Sequence, residues 1–163
     1  MSAFQLAQLN LAALREPLDS PLLADFVANL DRINALADAA PCFIWRLQGD
    51  GGDATHLRPF GNHIIVNMSV WKDAVALNEY VYKSDHVAIM RRRKEWFERM
   101  AEAWMVLWWV PAGHRPTLAE AAARLAQLRT QGPSAKAFTF RRLFAAPDAV
   151  DSGIESGDEC PAL

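Results

Sequence analysis

The stretch that most constrains this chain is Tyr80 to Pro111, YVYKSDHVAIMRRRKEWFERMAEAWMVLWWVP. Its first part reads as a helix carrying an early His86. Its end, Trp104 to Val110, reads as a strand apolar on both alternating sets of positions. Such a strand needs cover over both faces of its sheet. Helices can supply one layer, and the other must come from a closed barrel interior or a second subunit.

The rest of the chain can build that core. Its 163 residues suffice for one domain, and 52% are hydrophobic, with six tryptophans among them. A net charge of −2 argues against a general nucleic-acid binder. Cys42 and Cys160 have no CxxC spacing and suggest no disulfide framework, so a reduced, cytoplasmic setting is expected. Cys42 reads as a small buried thiol, with no base visibly paired to it. The N-terminus lacks the basic, then long apolar, pattern of a signal peptide. The longest apolar run, Ala103 to Ala112, is too short to cross a membrane, so no membrane partner is expected.

Phe4 to Leu11 alternates as a strand. Ser20-Pro21 offers an N-cap and a first-turn proline, and a helical stripe follows from Leu22 to Ala37 until Pro41. Phe43 to Gln48 and His63 to Trp71 read as strands either side of a glycine-rich turn. A short helix from Lys72 to about Tyr82 is followed by a second, capped by Ser84 or Asp85 and running to about Met100. After the Trp104 strand, Thr117-Leu118-Ala119-Glu120 is a capping box that opens a helix along Leu118, Ala121, Leu125 and Leu128. Ala137 to Phe144 could add an edge strand.

The order is that of an α+β, ferredoxin-like β-α-β-β-α-β unit with its second helix broken and its helices on one face. The other face would carry Leu6, Gln8, Asn10, Ile44, Arg46, Asn67, Ser69 and Trp71, too apolar to stay wet. Two such sheets face to face would make a homodimer. The domain is placed at residues 1–144, with 145–163 a flexible acidic tail.

Four segments carry a resemblance: WRL at Trp45–Leu47, SVW at Ser69–Trp71, YKSDH at Tyr82–His86, and LWWVPAGH at Leu107–His114. Over about Phe4 to Phe140 the chain resembles a bacterial family of unknown function in the dimeric α/β-barrel superfamily. That superfamily also holds antibiotic-biosynthesis-monooxygenase-like proteins. The resemblance implies the fold, dimerisation and a hydrophobic cavity, and it specifies no reaction. Members resembling this chain usually have glycine where Cys42 stands.

His86 leads the candidates for chemistry. On a helix it shares a face with Met90, Arg93 and Phe97, and its place in the first turn favours neutral imidazole. That suits a general base or a metal or haem ligand; the plainer role is a structural hydrogen bond. Arg46 could hold an anionic ligand or pair with a carboxylate. Asn67 and Ser69 could orient a substrate carbonyl or merely satisfy each other. Tyr82, one turn before His86, could share its polar cluster. Trp45, Trp71, Trp108 and Trp109 could wall a pocket or simply fill the core. Arg91 to Lys94 spans more than a turn and points in several directions, as an ordinary helix surface does. His114 is a weaker second histidine.

No CxxC, HExxH, GxGxxG, Walker A or GxSxG motif is present. A dinucleotide enzyme, a serine hydrolase and a structural zinc protein are therefore not expected. The resemblance to the dimeric α/β-barrel superfamily implies instead a monooxygenase-like small-molecule enzyme acting on a hydrophobic substrate, without a cofactor or with haem on His86. The alternative is a non-catalytic ligand-binding or dimerisation module.

Overall fold

Every other strand but one pairs with β1 (Phe4–Leu14). In the computed structural model, which describes residues 2–149, β3 (Ile64–Trp71) runs antiparallel along one edge of β1, from Leu6 opposite Trp71 to Ala13 opposite Ile64. Along the other edge lie β5 (Met105–Pro111) and, beyond it, the two-residue β4 (Phe97–Glu98). β2 (Phe43–Arg46) pairs outside β3, with a bulge between Phe43 and Trp45. The order β2-β3-β1-β5, antiparallel throughout, is that of a ferredoxin-like sheet.

The connections are helical. A single 3-10 turn, Pro21–Leu23, leads into α1 (Ala24–Asp38); α2 (Ala74–Lys83) and α3 (His86–Trp96) join β3 to β4; α4 (Leu118–Gln131) follows β5. None of the described helices is long and apolar enough to cross a membrane.

Two buried sets of side chains show how these layers stack. Ala7, Leu9 and Leu11 of β1 pack with Met68, Val70, Val106 and Trp108, and over them lie Ala121, Leu125 and Leu128 of α4. On the opposite face, Leu6 and Trp71 pack with Ala76 and Leu77 of α2, while Leu14 and Ile65 pack with Trp96 of α3 and Phe26 of α1. The two buried leucines of α4 each contribute about 2 kcal/mol of apolar burial.

This corrects the expected layering. Helices lie on both faces, not one. The face expected to be open, carrying Gln8, Asn67, Ser69 and Trp71, lies beneath α2 and α3; the other face is closed by α4. The doubly apolar run therefore finds both covers within its own chain. An uncovered sheet does not supply the case for a homodimer.

Smaller differences have local causes. Ser20 makes no capping bond, and its hydroxyl is buried without a partner. The helix expected to reach Met100 ends at Trp96, because Phe97 turns extended and pairs with Leu14. Residues 137–144 form isolated bridges, Phe138 with Leu107, Ala137 with Ser134 and Thr139 with Arg142, rather than a strand. Cys42, expected as a small thiol, is not free, and it takes a left-handed backbone with φ 63°. Asp148 accepts hydrogen bonds from the Ser2 hydroxyl and the Ala3 amide. The rest of the expected tail, from residue 150, lies outside the described residues.

Candidate functional site

The sheet face beneath α2 and α3 is interrupted by a polar belt between its two apolar clusters. Register puts Gln8 opposite Ser69 and Asn10 opposite Asn67. The Gln8 amide donates to Asn67 Oδ1 at 2.6 Å and to Ser69 Oγ at 3.0 Å. Ser69 Oγ also accepts from Trp71 Nε1 at 2.8 Å. Gln8 and Ser69 are buried, whereas Asn67 is exposed, so one end of the belt meets solvent. Buried polar groups must be paired, and here they pair with each other.

From Trp71 a stack of rings leads outward. Phe43 meets the Trp71 ring edge-on at 5.2 Å, Tyr80 of α2 stacks on Trp71 at 5.0 Å and 27°, and His86 lies on Tyr80 at 5.0 Å and 38°. His86 is placed there by the break between α2 and α3. Ser84 takes an extended backbone, its hydroxyl donates to the Tyr80 carbonyl, and it accepts from the His86 amide at 3.2 Å. His86 thus opens α3 with its ring turned inward. Nδ1 is buried without a hydrogen-bond partner. Burial pulls the imidazole pKa below its ordinary value, with the Val81 backbone acting more weakly in the other direction. Burial thus favours the neutral ring, and Nδ1 makes no hydrogen bond among the described residues.

Tyr80 is anchored on its other side. Its hydroxyl donates to the Ile33 carbonyl of α1 at 3.2 Å. Burial, then the charge of Asp38, pushes its pKa up to about 12, with Arg46 opposing. Arg46 binds Asp38 through two nitrogens, at 2.7 and 3.1 Å, and donates to the Gly52 carbonyl at 2.8 Å. A cleft of about 320 Å³ lies beside Tyr80, between α2 and the end of α1, walled by Leu36, Ala40, Pro41, Ala76 and Ser84.

The structure thus gathers Arg46, Asn67, Ser69, Trp71 and His86 on one side of the sheet. It does not bring the other candidates there. Tyr82 is 57% exposed and meets only Phe140, edge-on at 6.1 Å, so the tyrosine beside His86 is Tyr80. Trp45 and Trp108 belong to the core beneath α4. Trp109 packs toward Phe138 and donates to the Phe144 carbonyl at 2.9 Å. Arg46 is committed to Asp38, the structural role foreseen beside the anion-holding one. The basic run disperses as expected: Arg92 pairs with Asp25 and Glu95, and Arg93 lies over Trp104.

Tyr80 and Gln8 were the residues missed. Tyr80 lies four residues after the buried Ala76, a spacing that could have found it.

On the other face, Glu120 joins the core to the surface. It accepts from Trp108 Nε1 at 2.9 Å and lies 2.7 Å from His114 Nε2. Among the described residues no three His, Cys, Asp or Glu side chains are placed to hold a metal ion.

Residues 5–153 match the model of a protein family described as a domain of unknown function, DUF3291. The chain belongs to that family. No curated protein matches it. Among solved structures it is similar to a protein of unknown function from Nitrosomonas europaea, at 15% identity and a TM-score of 0.45, over 71% of this chain and 95% of that one. It is also similar to a dabb family protein with a ferredoxin-like fold from Mesorhizobium loti, at 18% identity and a TM-score of 0.42, over 67% of this chain and 99% of that one.

Proposed function

We propose that this family member takes a small hydrophobic molecule on the polar-belt side of its sheet and acts on it as a monooxygenase-like enzyme, with His86 as the proton acceptor. The observation that carries this reading is the His86 ring: neutral, packed on an aromatic wall, with a buried Nδ1 that nothing occupies. A base so held would take a proton from an acidic O–H or C–H away from competing water, once the α2–α3 junction shifts to admit a substrate to the buried Nδ1. Trp71 and Tyr80 give the wall, and Asn67 offers an exposed amide for orienting a carbonyl. Arg46 has no part in it, because Asp38 already neutralises its charge. Dioxygen would be the co-reactant, one oxygen atom entering the substrate and the other leaving as water, with the two hydrogens and their electrons supplied by the substrate itself.

The residues do not fit haem. The unpartnered nitrogen of His86, Nδ1, is buried among protein side chains rather than facing a space for a porphyrin, and no step is routed through that group.

A second reading, a non-catalytic binding or dimerisation module, has one observation in its favour. Gln8, Ser69, Trp71 and Arg46 direct their hydrogen bonds at protein groups. The homodimer belongs to either reading and would form through surfaces other than the covered sheet.

Oxygen uptake with a panel of hydrophobic phenols and quinols separates the two. Turnover by the wild type that falls roughly 100-fold or more in His86→Gln is expected of the enzyme. Equal rates in both proteins would sink it.

A further inference from the structure

A histidine at the first position of an exposed helix turns freely and titrates near its ordinary value. His86 does not, and the restraint can be traced to one neighbour. The imidazole lies against the Tyr80 ring at 5.0 Å, and that ring is also stacked on Trp71, itself buried. Tyr80 is held at both ends as well, by its hydroxyl bond to the Ile33 carbonyl and by the Ser84 hydroxyl bond to its own carbonyl. One side chain thus ties α1, the sheet and the α2–α3 junction to the plane of the imidazole.

We propose that Tyr80 is the positioning residue of the His86 site: its ring fixes the imidazole plane and keeps Nδ1 turned into the packed interior. This rests on the reading of His86 as the functional group. The ring does this work rather than the hydroxyl, since only the ring touches the imidazole.

The charged groups nearby do not replace it. Asp38 and Arg46 are paired with each other near the phenol, and Glu79 pairs with Lys83 on the outer side of α2. Asp85 precedes His86, is exposed and makes no side-chain capping bond to α3. No carboxylate contacts Nδ1.

The test is histidine NMR on the ¹⁵N-labelled full chain, with His86→Gln identifying its signal among the four histidines. Wild type should show one neutral tautomer, with hydrogen on Nε2, and a midpoint below the ordinary value of about 6.5. Tyr80→Phe keeps the ring and should keep both properties. Tyr80→Leu should mix the tautomers and move the midpoint up toward the ordinary value. Tyr82→Leu, at the exposed tyrosine, should change neither. Should Tyr80→Leu not fold, Tyr80→Met is read in its place, since it keeps bulk without an aromatic face. A folded Tyr80→Leu or Tyr80→Met protein with the wild-type midpoint and tautomer overturns the proposal. Oxygen uptake unaffected by His86→Gln, together with a Tyr80→Leu shift, would overturn the functional reading and leave the positioning role standing.

Discussion

Cys42 occupies a backbone conformation that suits glycine better. At φ 63° its Cβ crowds the following carbonyl, which costs roughly 1 kcal/mol for a side-chain-bearing residue. A glycine at this position would carry no such cost. The cleanest measure compares Cys42→Gly with Cys42→Ala, because both remove the sulfur. Urea unfolding should find the glycine protein more stable by about 1 kcal/mol. His86 gives a prediction in pH. Its folded pKa is lowered, so the unfolded chain binds the proton more readily between the folded value and about 6.5. Stability should fall as pH drops through that window. His86→Gln should flatten that part of the curve in urea melts at stepped pH, and an unchanged slope would refute the assignment.

Among elements, α4 shows how a short sequence signal is reused. Thr117 caps the helix by accepting from the Glu120 amide at 3.1 Å, as its spacing indicated. The Glu120 carboxylate, however, does not return to the cap; it binds Trp108 and His114. Burial draws its pKa up, but the bonds from His114 and Trp108 and the charges of His114 and Arg124 outweigh burial and hold it below the usual carboxylate value. That contribution is present above the unfolded carboxylate pKa and is lost as pH falls through the folded one. Thr117→Ala should cost about 1 kcal/mol. Glu120→Ala should cost about 2 kcal/mol, because it leaves the buried Trp108 N–H unpaired. Differential unfolding of the two variants checks both figures, and Glu120→Gln should lose the acid-side dependence. The helix itself was legible from the capping box and its leucine spacing. Its destination was not, since a strand apolar on both sides does not say which layer lies on which face. The same limit moved Gln8, Asn67 and Ser69 from an expected open face to one beneath helices. Tyr80 and Tyr82 flank Val81, and only the break at Ser84 decides which of them meets His86.

At the scale of the molecule, one chain supplies both layers over its sheet. Each copy should therefore fold without a partner, and at concentrations low enough to keep the chain monomeric it should still unfold in one cooperative transition. Loss of that transition on dilution would mean that part of the core is shared with a partner. The ferredoxin-like strand order could be read from the sequence, because the alternation of strands and helices leaves few topologies open. The polar belt could not, because its residues take on meaning only once register sets Gln8 against Ser69 and Asn10 against Asn67.

The position of α4 also bears on how such a chain can diverge. In an assembly closed by two copies, each change on the sheet face meets the same change in the neighbour. Here the surface opposite Ala7, Leu9 and Leu11 is the separate stretch Ala121–Leu128 of the same polypeptide. A substitution on one side and its compensation on the other are inherited together and need not mirror each other. That leaves the exposed Asn67 end of the polar belt open to change without a mirrored change on the side closed by α4.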